Sequence, residues 1–271
     1  MYQKCFDIKS PDDESIKVWR FMDFAQFMSM LKERALFFAR SDKMTDTCEG
    51  LLPDGCLERL RIASLVIADE LGNGTLADKA MFNMFDSFKK DKEKFFINCW
   101  YANEFETFAI WDMHLKGERG VCIRSTFKKL TECFSNVEYD VHIGKVKYVD
   151  FRHFDHILRP NNALVRHFYK RQGYNYEYEI RAVIECTNIS SSGFNVGISL
   201  ENLIEDILVY PNASDWFVNL VQSASDEYGL CVKVKPSELS DNLVSTSNNP
   251  LGLWAHKGFG LQFNISKQDK P

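Results

Sequence analysis

Apolar and polar residues alternate from Tyr176 to Cys186 as they do along a half-buried β-strand. Tyr176, Tyr178, Ile180, Ala182 and Ile184 fall on one face, and Glu177, Glu179 and Arg181 on the other. With a rise of roughly 3.3 Å per residue, neighbouring charges on that face lie close enough for long side chains to converge on one ligand. No other strand-like run in the chain carries three charges in register. Earlier runs give a strand at Val18 to Phe21, a helix from Phe24 to about Arg34 with Asp23 as N-cap and Gln26 closing a capping box, and a buried strand at Ala35 to Ala39. Arg40 to Gly50 reads as a polar loop of the kind that hosts function on a rigid scaffold.

Helices follow at Asp54 to Leu71, with Gly72 placed as a C′ residue, and from Thr75, whose apolar side holds Met81, Met84, Phe85 and Phe88. The pattern then predicts a strand at Phe95 to Trp100, a helix from Asn103, a strand at Val121 to Arg124, a helix toward Cys133 and a strand over Val141 to Val149. A basic-aromatic helix over Asn162 to Gln172 leads into the charged strand. Beyond it come a short helix near Leu200 to Glu205, a strand at Ile207 to Tyr210, a helix over Ala213 to Tyr228 and a last strand at Cys231 to Lys235. This order lacks a strict β-α-β rhythm. It predicts an α+β fold with a mixed, largely antiparallel sheet flanked by helices, one domain over residues 1–240, and a partly packed C-terminal extension over 241–271.

Composition narrows the class. The chain has 271 residues, 45% hydrophobic and 14% aromatic, enough for a full core. No apolar run reaches the roughly 20 residues that span a bilayer, and Met1 to Ser10 lacks the order of a signal peptide, so the expectation is a cytoplasmic protein without a membrane partner. The 8 cysteines form no C-x-x-C pair and read as reduced thiols. A net charge of −5 weighs against a dedicated nucleic-acid binder.

Motif chemistry is mostly excluded. G-x-G-x-x-G after a strand, G-x-x-x-x-G-K-[ST], G-x-S-x-G and H-E-x-x-H are all absent. His153-Phe154-Asp155-His156 stands alone as a metal-like cluster. What remains is the pair Glu177 and Glu179 with Arg181 beside them. Paired carboxylates divide labour as acceptor to a hydroxyl and stabiliser of a cationic transition state. Arg20, between Trp19 and Phe21, offers a guanidinium for a phosphate and rings for stacking, or else an ion pair with one of the glutamates.

Taken together, Trp19-Arg20-Phe21, Leu36 to Arg40, Asp46 to Gly50, Cys99-Trp100 with Asn103-Glu104 and Trp111, Gly120 to Thr126 and Glu177 to Arg181 resemble the bacterial family filed as domain of unknown function 2971, in matching order over about residues 19–235. A more distant likeness is to the ADP-ribosyltransferases. That likeness implies NAD as co-substrate, with Arg20 meeting the dinucleotide and Trp19 or Phe21 the nicotinamide. Glu179 would stabilise an oxocarbenium-like ribosyl, Glu177 would orient an unidentified acceptor (protein or nucleic acid), and Ser125-Thr126 is similar to the superfamily's Ser-Thr-Ser. Two other readings stay open. One is a metal-dependent phosphodiesterase in which Glu177, Glu179 and Asp150 hold Mg²⁺ and Arg181 replaces the usual lysine. The other is a non-catalytic interaction or sensor module in which the glutamates and Arg181 form a structural ladder.

Overall fold

Asp23 ends one strand and caps the next helix. Its carboxylate accepts from the Gln26 backbone N–H at 2.7 Å, and the Gln26 side-chain oxygen accepts from the Asp23 N–H at 3.1 Å. This is the expected capping box, worth about 1 kcal/mol, and it fixes the angle at which the chain leaves the sheet. The computed structural model, which describes residues 1–70, 75–115, 119–153 and 163–240, shows what that joint connects. Strand β1 (Tyr2–Gln3) is short, and β2 (Lys17–Asp23) passes through helix α1 (Phe24–Glu33) into β3 (Ala35–Arg40). Helices α2 (Asp54–Glu70) and α3 (Thr75–Asp91) precede β4 (Phe95–Ala102). Then come α4 (Phe108–His114), β5 (Gly120–Thr126), α5 (Phe127–Glu132), β6 (Val141–Lys145) and β7 (Lys147–Val149). The second half holds α6 (Ala163–Arg166), β8 (Tyr169–Arg171), β9 (Glu179–Glu185), β10 (Gly193–Gly197), α7 (Leu200–Leu203), β11 (Asp206–Val209), α8 (Asp215–Glu227) and β12 (Val234–Pro236).

Ten of these strands form one sheet in the order β1-β6-β9-β4-β2-β5-β11-β12, with β3 also on β4 and β10 on β3. The pairings are antiparallel except at the two ends, where β1 joins β6 and β12 joins β11 in parallel. The mixed, largely antiparallel sheet expected from the pattern is therefore present. One edge of β4 is shared: β2 pairs it at Val18↔Ala102 and Trp19↔Tyr101, while β3 pairs it at Ala39↔Ile97 and Arg40↔Phe96. Between those registers, at Asn98 to Trp100, neither strand pairs with this edge of β4, and the sheet splits. The Asn98 side chain bridges the split, donating to the Phe37 carbonyl of β3 at 2.9 Å.

Helices α1, α5, α7 and α8 cover one face of the sheet, and Phe27, Leu31, Phe127, Leu203, Phe217 and Val221 bury the main core against Trp100, Ile123, Ile180 and Ile184. The other face carries two smaller cores: Trp19, Tyr101, Trp111 and Leu208 under α4, and Phe95, Ile97, Val183, Val165 and Phe168 under α6. Between them apolar cover lapses over β4 and β9, and there the charged residues collect. Among the described residues no helix is long and apolar enough to cross a membrane.

Several boundaries differ from the pattern. The run Val141 to Val149 is two strands, since β7 leaves the main sheet to pair with β8. The Asn162–Gln172 helix shrinks to α6, because Tyr169–Arg171 is extended and pairs in parallel with β7. The helix expected from Asn103 starts at Phe108, since the Asn103 carbonyl is taken by the Trp19 indole N–H and its side-chain oxygen accepts from the Phe105 N–H. Gly72, Phe154 to His156, Asn162 and the extension over 241–271 lie outside the described residues.

Candidate functional site

The charged strand does not begin where alternation places it. Gln172–Glu177 is a 3-10 turn, and Tyr178 adopts the left-handed backbone at φ 39°, a conformation rare for an aromatic residue. Its carbonyl still accepts from the Ala102 N–H at 2.9 Å, but Glu177 is turned out of the ladder. The expectation of Glu177 and Glu179 side by side on one strand is therefore corrected. Glu179 opens β9, and Glu177 reaches the same place from a turn.

Register does the rest. Trp19 pairs with Tyr101 and Tyr101 with Glu179, so an aromatic row across β2, β4 and β9 ends in a carboxylate. One step on, Cys99, Arg181 and Gly144 form the next row. Gly144 has no side chain because none fits: a Cβ would lie 2.3 Å from Ile8 Cγ2 and 2.9 Å from the Lys9 carbonyl oxygen. The N-terminal segment thereby seals the far side of Arg181.

Arg181 is wholly buried and sits between two carboxylates. Its Nε and Nη2 donate to Glu179 at 2.8 and 3.0 Å, its Nη1 and Nη2 donate to Glu49 at 2.6 Å each, and Nη1 also donates to the His167 carbonyl at 2.6 Å. Such bidentate geometry is what makes a buried ion pair tolerable. Lys170 completes the cluster. Its ammonium donates to Glu177 and to Glu179 at 3.4 Å, and lies 3.7 Å from Glu49. Burial opposes the charge on Glu179, but the adjacent Arg181 and Lys170 cations prevail and hold its carboxyl well below the ordinary range. Burial raises Glu177 and outweighs the neighbouring Lys170 cation, which opposes the shift. Burial and the Glu179 charge push the Cys99 thiol up, so it stays protonated as a donor to Glu179 and is no nucleophile.

Arg20 behaves differently. Its Nη1 crosses the split in the sheet and donates to the Cys99 carbonyl oxygen at 2.8 Å. Among the described residues it has no carboxylate within ion-pair distance, so the ion pair with Glu177 or Glu179 weighed from the sequence is not formed. Burial depresses this guanidinium, whereas Arg181, better buried, is held up by its two glutamates.

Arg20, Glu177, Glu179 and Lys170 line one cavity of about 490 Å³, whose walls include Trp19, Phe21, Tyr101 and Tyr176. His114 lies in the same wall, its ring stacked on Phe21 at 5.9 Å and 3°. Burial first and the Arg20 charge second lower its basicity, so it is a neutral imidazole near pH 7. Of the residues expected at a site, Arg20, Trp19, Phe21, Glu177 and Glu179 meet here. Arg181 stands behind the wall as the brace of Glu179. Ser125 does not belong: it is buried on β5 and donates to the Leu203 carbonyl at 2.5 Å, because its strand position faces α7. Asp150 is also elsewhere, bonded to the Arg152 N–H and the His153 ring. Among the described residues no three His, Cys, Asp or Glu side chains converge as a metal site.

Alternation could not reveal Glu49, Lys170 or Tyr148, whose hydroxyl accepts from the Glu179 N–H at 2.9 Å. The signal for Glu49 was its neighbour. Gly50 has φ +69°, and a Cβ there would lie 2.6 Å from His167 Nε2, so only glycine lets this loop press its glutamate onto Arg181. No protein-family model matches the chain, and a search of curated proteins finds no match.

Proposed function

We propose that the cavity binds a dinucleotide of the NAD type and that the chain is an ADP-ribosyltransferase-like enzyme. One observation carries this reading: a guanidinium with no carboxylate in ion-pair reach among the described residues and a carboxylate held ionised look into the same aromatic-walled space. The volume falls among small-molecule sites, which run from roughly 300 to 1,000 Å³. Arg20 supplies charge for a phosphate, and Trp19, Phe21 and Tyr101 supply faces for a ring. Glu179 then stabilises positive charge developing on a ribosyl carbon as its bond to nicotinamide nitrogen breaks and a bond to the acceptor forms, the acceptor releasing its proton. Arg181 keeps Glu179 in place. Glu177 competes with Glu179 for the Lys170 ammonium, so it is a positioning residue in this scheme. The resemblances drawn from Trp19-Arg20-Phe21 and Glu177-x-Glu179 point the same way, and free thiols at all 8 cysteines suit a cytoplasmic reaction.

A second reading has its own observation. Both Glu179 oxygens are already engaged by Arg181, and one also by Lys170, which suits a sensor that binds without turnover. Calorimetric titration with NAD, paired with a nicotinamide-release assay, separates the two. Wild type should bind, Arg20→Met should bind at least tenfold more weakly, and Glu179→Gln should bind while releasing no nicotinamide. Binding without release by wild type favours the sensor. Absence of NAD binding by a folded wild-type protein would falsify both.

A further inference from the structure

The side chains around the cavity that carry N–H groups differ in how far those groups are already used. The Trp19 indole donates to the Asn103 carbonyl, the Trp100 indole to the Asn98 side chain, and the Lys170 ammonium to Glu177 and Glu179. Arg20, Gln26 and His114 keep donors in reserve. Arg20 places Nη1 on the Cys99 carbonyl, while its Nε and Nη2 have no partner among the described residues. Gln26 uses only its side-chain oxygen, on the Asp23 N–H of the capping box, and its amide nitrogen is open in the same sense. His114 stacks on Phe21 and makes no hydrogen bond among the described residues. A few open polar groups in an otherwise committed wall are what orient a bound molecule.

These three residues stand at one end of the cavity. Arg20 precedes Phe21 on β2, Phe21 carries the His114 ring at 5.9 Å, and the imidazole is close enough to feel the Arg20 charge. Gln26 is tied to Asp23, the last residue of the same strand. Asp23 pairs with Gly120, and the end of α4 packs there so closely that a Cβ on Gly120 would lie 2.1 Å from Leu115 Cδ1. Asp23 itself turns its carboxylate to the α1 backbone and does not line the cavity. Glu179 belongs to the other end, beyond Trp19 and Tyr101 in their row across the sheet, and Trp19 is roughly 13 Å of strand from Asp23. We infer that Arg20, Gln26 and His114 form a diphosphate subsite, and that the ligand lies with its phosphates at this end and its ribosyl carbon over Glu179. A diphosphate can accept from the rest of the Arg20 fork, from the amide and from the imidazole N–H, whereas an uncharged ligand leaves the guanidinium uncompensated. The inference rests on the dinucleotide reading for the identity of the ligand; the open donors alone call for the anion.

Calorimetric titration of the full chain with inorganic pyrophosphate tests the subsite apart from the dinucleotide. Wild type should bind it. Gln26→Glu keeps the capping oxygen but sets a negative charge where the amide donated, and should weaken binding at least tenfold. His114→Phe keeps a flat ring against Phe21 but has no N–H to give, and should weaken binding at least threefold. Lys128→Gln, on α5 across the sheet, makes the same change in net charge as Gln26→Glu and should alter nothing. Circular dichroism checks that each variant is folded, and if one cavity variant is not, the other decides. Binding of NAD should follow the same order. A folded wild type that ignores pyrophosphate, or a folded cavity variant within twofold of wild type, overturns the inference whatever NAD does. Pyrophosphate binding with the expected pattern and no binding of NAD keeps the subsite and removes the dinucleotide reading instead.

Discussion

Two arginines meet β4 at Cys99, Arg181 by strand register and Arg20 through the Cys99 carbonyl, and have opposite relations to the fold. Arg181 neutralises two carboxylates that burial would otherwise punish, so it belongs to the core. Replacing it by Met strands Glu49 and Glu179 without a guanidinium, and breaking a buried pair from one side costs about 3–5 kcal/mol. Arg20 neutralises nothing. Arg20→Met gives up one hydrogen bond to a carbonyl and relieves a desolvated charge, two effects of about 1 kcal/mol each and opposite sign. The prediction is a large loss of stability for Arg181→Met and a change within about 1 kcal/mol for Arg20→Met, read by urea unfolding, with ligand binding lost in the second. Comparable losses in both variants would mean that Arg20 is structural after all. From the sequence the two could not be told apart, since each is an arginine between strand residues. The difference lies in Glu49, 132 positions from Arg181 in the chain.

Elements were readable where local chemistry decides them. The capping box and helix over Asp23–Glu33 rest on contacts within a few residues, and α8 (Asp215–Glu227) falls within the helix expected over Ala213 to Tyr228. Elements failed where distant groups decide. Nothing between Asn162 and Gln172 says that the His167 carbonyl serves Arg181, or that Tyr169–Arg171 will find a strand partner in β7. Tyr178 is similar: an unbroken alternation conceals one residue at positive φ, and that residue decides where Glu177 goes. The loop before α2 gives this scale its test. Gly50→Ala places a methyl group against His167 Nε2 at a backbone angle that alanine avoids, for an expected loss of roughly 2–4 kcal/mol. Gly173→Ala, with nothing within 4 Å, should be neutral or gain up to about 1 kcal/mol. Equal unfolding midpoints for the two variants would mean that the loop does not hold Glu49 by conformation.

For the molecule as a whole, fold class was accessible from the order of elements, but strand order was not, because a split sheet in which β2 and β3 share one edge of β4 leaves no mark in periodicity. The same long-range packing sets how the protein should answer acid. His167 sits at its junction: its ring lies on Phe95 at 4.3 Å, its Nδ1 faces the Ala163 carbonyl at 2.9 Å, its carbonyl receives Arg181, and its Nε2 is buried without a partner. Burial outweighs the Ala163 bond and lowers the imidazole to about 3. An unfolded chain takes up this proton near pH 6.5, and the folded one does not until near pH 3. The unfolded state therefore binds more protons throughout that window, and stability is fully present above about 6.5 and falls as pH drops, by at most about 1.4 kcal/mol per unit from this group. Glu179, also held below its ordinary value, adds its own loss at more acid pH, as the pH falls through the ordinary carboxylate range near 4.5 toward about 2. His167→Phe keeps the ring contact and removes the titration. The stability of this variant relative to wild type should be constant from pH 8 to 7 and then rise, reaching about 2 kcal/mol by pH 5. Parallel stability curves for the two proteins between pH 7 and 5 would show that His167 is not held neutral by the fold, and with that the packing of the loop, Gly50 and Arg181 around it would have to be redrawn.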